Sequence, residues 1–375
     1  MTKQVGRIRL VLRGVIAALL LTAVLVGVAM IPVPYVVHSP GPTVNVLGSQ
    51  GSTVVLEFGE SSDPSVPVVR SEKEDEGQLR MVTVSESGGP GTKLRLIELI
   101  QAKFNPGDEV DRYEDLYDDT VTAEELKDAG AAQMTSSHSA ASIAAFDYLG
   151  IPMESTLTIE GAVAGSSAEN QVEQGDILVS IKTPDGVEHR VDRPSVPFDL
   201  MKETAPGSTV IVTVNRAGEE IEIPIVTTGP QEGENFEGSK MGIYLFADTK
   251  LPFDVTIHLE RIGGPSAGLI FALGIISRLS DHDITGGQVI AGTGALSFSG
   301  DVIPIGGVKQ KMYGAKRDGA EWFLVPFDNC DSVIGNTPKG LTVIPVKTLA
   351  GAVDVVEQIA SGQTSGFATC EVAQS

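Results

Sequence analysis

Between Gly14 and Ile31 the chain runs for eighteen residues without a charge. At about 1.5 Å per residue a helix of that length spans roughly 27 Å, close to one hydrocarbon core. Lys3, Arg7, Arg9 and Arg13 precede it, and such a basic flank stays on the cytoplasmic side. The expectation is a single-pass anchor over 14–33 in the cell membrane, with 1–13 inside and the rest extracytoplasmic. No A-x-A site follows and the run is long for a cleaved leader, so retention is the better reading. Pro32, Pro34, Pro40 and Pro42 then make a stiff exit.

The remaining chain has room for two or three domains. Its net charge is −22, from 49 acids against 27 bases, which excludes nucleic acid as an expected partner because phosphate binding needs a basic surface. Asp108 to Asp128 is acid-rich but lacks the glycine and spacing of a calcium loop, and reads as a solvated surface. No H-E-x-x-H and no Walker A pattern occurs, so neither a metal nor a nucleotide cofactor is expected. Gly88-Gly89-Pro90-Gly91-Thr92-Lys93 has the wrong order for a phosphate loop. Ser136 to Leu149 reads as a helix.

The chemistry concentrates in Gly263-Gly264-Pro265-Ser266-Ala267-Gly268 and, 43 positions after the serine, Lys309 in Pro304-Ile305-Gly306-Gly307-Val308-Lys309. A serine hydroxyl needs a base to become a nucleophile, and a desolvated lysine supplies one. Pro265 suits a first helical turn and Leu269–Leu273 reads as a buried helix. That places Ser266 at a helix N-terminus, where a developing oxyanion is stabilised. The bland alternative is a serine that only caps a core helix. The same letters spell G-x-S-x-G, but the only histidine after Ser266 is His282, too close for the triad order of an α/β-hydrolase. Lys311 rivals Lys309: on a helix from Val308 to Gly319 both flank the apolar face, and periodicity leaves the choice open.

Residues from Met241 to Ala360 resemble the proteolytic domain of Lon peptidases. Gly264 to Gly268, Thr293-Gly294, Pro304 to Lys311 and Phe323-Leu324-Val325-Pro326 carry the likeness. It implies a serine-lysine peptidase with Ser266 as nucleophile and, as the first lysine after the double glycine, Lys309 as base. Thr293, Gly264 and Pro265 are implied as supporting residues. Gly263 and Ala295 depart from the acids of ATP-dependent members. Leu149 to Thr228 resembles a PDZ domain through Ala162 to Glu169 and Gly175 to Ile181, a fold that captures peptides by strand addition. Ile262 to Gly268 and Asn329-Cys330 match membrane-anchored relatives that pair the two.

The expectation is therefore an α+β multidomain chain. Its parts are an extracytoplasmic region 40–148, a PDZ-like domain 149–228, a linker 229–239, a Lon-type domain 240–362 and a tail 363–375. Its function is ATP-independent cleavage of extracytoplasmic polypeptides selected by the PDZ-like domain. The alternative is a tethered peptide-binding protein with a degenerate peptidase domain. Lon-type domains commonly form rings, so a homo-oligomer is implied. Cys330 and Cys370 are outside the membrane on this topology, where a disulfide and two free thiols are both open.

Overall fold

The apolar run is helical. In the computed structural model, helix α1 spans Thr2–Ala29. The structure describes residues 2–60, 69–70, 76–118, 120–230, 238–259 and 262–373, without the side chains of 2–13, Ala18 and 372–373. Most of the expected linker and the end of the tail lie outside the described residues. Leu19, Leu20, Leu21, Val24 and Leu25 on α1 are all exposed. Among the described residues no helix is long and apolar enough to cross a membrane; the described side chains of α1 begin at Gly14 and break at Ala18. The helix also stops short of the expected 33. Proline cannot continue it, and Pro32–Val33 is already paired with Leu94–Arg95.

Strand β1 (Tyr35–Asn45) and strand β2 (Gln78–Ser87) run antiparallel, and strand β3 (Glu109–Arg112) pairs with the other side of β1. Helix α2 follows over Ala123–Tyr148, thirteen residues longer at its start than the expected 136. Its beginning is fixed by a capping box: Glu125 N–H donates to Thr122 Oγ1 at 3.2 Å and Thr122 N–H to Glu125 Oε2 at 2.9 Å.

The chain then leaves this sheet to build another. Strands β4 (Glu154–Ala162), β5 (Ile177–Lys182), β6 (Glu188–Arg190), β7 (Thr209–Arg216), β8 (Glu219–Val226) and β9 (Ile243–Lys250) form a sheet of order β8-β7-β5-β4-β9, with β6 also on β5. Val210, Val212 and Val214 alternate inward and pack with Leu157, Ile159, Ile223 and Ile225 in a core of their own. Asp176, buried at the start of β5, accepts from Arg216 Nε and Nη2 at 2.7 Å each. That bidentate pair ties β5 to the β7–β8 turn.

After this insertion the first sheet is completed. Helix α3 (Gly268–Leu279) lies against α2, and strands β10 (Val289–Gly292), β11 (Trp322–Pro326) and β12 (Thr342–Val346) are all parallel. Helix α4 (Val308–Arg317) connects β10 to β11, and α5 (Leu349–Ala360) follows β12. The order is β12-β11-β10-β2-β1-β3.

Two expected boundaries are thereby corrected. The region 40–148 is not separate from the domain that follows, because β2 pairs in parallel with β10 from Gln78 to Met81. Val44, Leu79, Phe146, Leu273 and Val356 share one apolar core. Nor does this domain begin at 240, because β9 pairs along its whole length with β4. The tail is also packed: Phe367 meets Trp322 edge-on at 5.6 Å, and a Cys330–Cys370 disulfide closes a separation of 40 residues.

Candidate active site

Strand β2 is longer than its neighbour. Its pairing with β10 ends at Met81, while β1 continues beside it to Ser87. Past Met81 it has a strand on one side only, among the described residues. Residues 81–86 of this overhang line a cleft of about 1010 Å³, together with Ile262 to Ala267, Ala295, Ile303 to Gly307, Gln310 and Lys311.

Ser266 is half-buried in the turn before α3, whose residues are all buried. The N-cap position falls on Ala267, so Ser266 stands just outside the helix and its hydroxyl is not the cap. Its loop is held from two sides. Gly264 N–H donates to Gly130 O at 3.0 Å, and Ser137 Oγ donates to Pro265 O at 3.1 Å, both partners lying on α2. Gly264 has φ +97° with open space where a side chain would start, so glycine is required there for its backbone, not for packing. Thr293 is fully buried; its Oγ1 donates to Ser266 O at 3.0 Å, and Gly294 N–H donates to the same oxygen at 2.9 Å. The supporting residues thus touch the backbone of Ser266 or its loop.

The second half of the site depends on Gly307. It caps α4 at φ +70°, and a side chain there would begin 2.6 Å from Val84 Cγ2. This close approach sets α4 against the β2 overhang. Asn329 pins the same loop in both directions, accepting from Ile305 N–H and donating to Ile305 O, each at 2.9 Å. Cys330, beside it, is tied by the disulfide.

The two lysines separate here. Lys309 is half-buried, lies outside the cleft lining, and donates from Nζ to Asp108 O at 3.2 Å. Lys311 is only 4 % exposed and lines the cleft with Ser266. Burial alone pulls its amine from 10.5 down to about 7, because an ammonium loses hydration there with no acid to compensate. The structure thus sets the expected base and its rival apart: Lys309 points at a backbone carbonyl, and the desolvated amine in the cleft is Lys311.

The opposite wall was not anticipated. Glu109 and Asp111, expected on a solvated surface, line the cleft with His38 and Glu86. His38 lies 3.2 Å from both Glu86 and Asp111. The adjoining Glu86 carboxylate leads in raising His38 above its usual value, and the bond to His38 leads in lowering Glu86. Among the described residues no cluster of side chains is fit to hold a metal ion. His138 sits within α2, its ring edge-on to Phe271 at 5.1 Å.

Residues 252–359 match the family model of the Lon protease (S16) C-terminal proteolytic domain. The match begins just past β9, where the inserted sheet ends. Lon protease 2 of Bacillus subtilis is 36% identical over 110 residues, 28% of this chain and 19% of that protein. The Lon protease of Helicobacter pylori strain J99 is 30% identical over 156 residues, 40% of this chain and 18% of its own length. The archaeal Lon protease of Methanocaldococcus jannaschii is 42% identical over 97 residues, 26% and 14% respectively. The chain thus spans less than a fifth of these relatives. Among solved structures, the PDZ domain of the SdrC-like protein from Listeria innocua covers 24% of this chain and 92% of its own, at 15% identity and a TM-score of 0.20. A likeness at that score carries no argument. The likeness to the Lon proteolytic domain thus lies in the stretch after the insertion.

Proposed function

We propose that this chain is an ATP-independent endopeptidase in which Ser266 is the nucleophile and Lys311, rather than Lys309, is the base. The observation that carries the reading is a nearly dry lysine, with its amine near 7, lining the same cleft as a serine in a constrained turn. Neutral Lys311 takes the hydroxyl proton as Ser266 Oγ bonds to the peptide carbonyl carbon. The oxyanion forms beside the N-terminus of α3, where helix polarity favours negative charge. Lys311 then returns the proton to the leaving amine; water attacks the acyl-enzyme as Lys311 takes its proton, and Lys311 gives that proton to Ser266 Oγ when the C–Oγ bond breaks. Thr293 and Gly294 hold the Ser266 carbonyl and so the turn.

The overhanging β2 edge supports a polypeptide substrate, since an unpaired strand edge offers backbone groups to an extended chain. The inserted sheet, with its own core and the helix Val196–Glu203, supports the PDZ-like reading and a role in presenting polypeptides. The exposed leucines and valines of α1 support a membrane anchor with the cleft on the extracytoplasmic side. The test is casein cleavage without ATP by the full chain in detergent, beside Ser266→Ala, Lys311→Met and Lys309→Met. The expected result is activity in the parent and Lys309→Met alone. Equal activity in Lys311→Met, with loss in Lys309→Met, sinks the assignment of the base.

A further inference from the structure

The cleft has a wall of hydrogen-bond acceptors that hydrolysis itself does not use. Gln310 is fully buried beside Lys311 and donates from Nε2 to Glu109 Oε2 at 2.9 Å. An ionised carboxylate only accepts, so the amide nitrogen must face Glu109. The amide oxygen is then left over, and Gln310 Oε1 is buried without a partner while its residue lines the cleft. A buried acceptor with no donor costs about 1–3 kcal/mol, which a ligand supplying an N–H group relieves. Glu86, Glu109 and Asp111 line the same cleft. His38 is shared between Glu86 and Asp111, which leaves Glu109 as the carboxylate without a cation of its own in the lining. The lining's amine, Lys311, is lowered to about 7 by burial and is itself among the reacting groups of the proposed mechanism.

Resting on the peptidase reading, we infer that Glu109 and Gln310 Oε1 form a subsite for the cationic side chain of a lysine or arginine near the bond to be cut. The donors of an ammonium or guanidinium satisfy both acceptors, whereas a glutamate meets three carboxylates and an apolar side chain leaves Gln310 Oε1 unpaired. Discrimination against an analogue that lacks the required donor is the stronger kind. In a cleft open to salt, on the order of tenfold in kcat/KM is expected.

The test maps casein cleavage sites by mass spectrometry. The best-cut segment is then made as quenched peptides carrying lysine, norleucine or glutamate at the enriched position. Lysine is expected to exceed norleucine about tenfold, with glutamate slowest. Glu109→Gln should bring the lysine peptide down to the rate of the norleucine peptide measured in the same variant, with circular dichroism and Tm reporting its fold. Binding of the same peptides to Ser266→Ala, followed by fluorescence anisotropy, gives the preference as a ratio of Kd values independent of cleavage. Ser266-dependent casein cleavage, measured alongside, tests the peptidase reading separately. Equal handling of lysine and norleucine in both assays, or a preference that survives in Glu109→Gln, overturns the acidic subsite alone.

Discussion

Replacing Lys311 by methionine should destroy activity and make the protein more stable. The side chains are of similar length, so packing against Val308, Met312 and Ala315 is largely kept. What changes is the electrostatic cost. The folded amine titrates at about 7 instead of its ordinary 10.5. Between those values the unfolded chain binds a proton that the folded chain does not, so stability rises with pH across that window and is lost as pH falls towards 7. At about 1.4 kcal/mol per pH unit the loss at pH 7 is on the order of 4 kcal/mol. Methionine has no such penalty. Urea unfolding of both proteins at pH 7 and near pH 10 should show the variant ahead by about 2–4 kcal/mol at pH 7, allowing for imperfect repacking. That lead should shrink towards zero at the higher pH. Other groups titrate alike in the two proteins and cancel. A lead independent of pH, or a variant less stable at pH 7, refutes the claim that the lysine is held uncharged by burial.

Three further outcomes follow from the same geometry. Because the neutral amine is the base and the folded value is lowered to about 7, kcat/KM should rise about tenfold per pH unit below it and level off above, as read from a pH–rate profile. Thr293→Val removes the Oγ1–H bond to the Ser266 carbonyl; about 1 kcal/mol of positioning is at stake, so kcat should fall about fivefold with KM little changed, and Thr293→Ser should recover it. Reducing the Cys330–Cys370 bond frees a 40-residue separation and should lower stability by about 2–4 kcal/mol, seen as a Tm that drops on adding dithiothreitol and does not respond in Cys370→Ala.

Local pattern made the elements legible but not their assembly. The buried helix after Ser266 was readable, since Leu269 to Leu273 is an uninterrupted apolar run that follows turn residues. Sheet membership was not. β9 alternates inward and outward along its whole length, with Tyr244 and Phe246 exposed, and that alternation suits a strand of either sheet. Its pairing with β4, some ninety residues earlier, decides the matter. Likewise nothing local in Asp108 to Asp128 marks Glu109 and Asp111 as cleft residues; β1 brings them there by pairing His38 with Glu109 and Val36 with Asp111. Charge density on a short acidic segment reads as solvation until its strand partner is known.

The proposed base is the instructive case, because the helical pattern leaves two lysines open. Val308, Lys311, Met312 and Ala315 occupy i, i+3, i+4 and i+7, the template of one buried helical stripe. Gln310, off that stripe, is fully buried as well, so the pattern alone does not single out a lysine. The likeness to a family drew the choice towards the lysine nearest the double glycine, yet proximity to a turn does nothing to an amine. Desolvation does, and it comes from what packs over the helix, which buries Gln310 and Lys311 and leaves Lys309 half-buried. A lysine on an apolar face ordinarily argues against a helix register, since its charge is costly to bury. Here the cost is the function: the position that folding alone would fill with leucine or methionine is where an uncharged amine can be kept near neutral pH. The burial of one lysine next to a glycine-capped helix start is what favours it as the proposed reacting group over its neighbour, since the spacing from Ser266 does not.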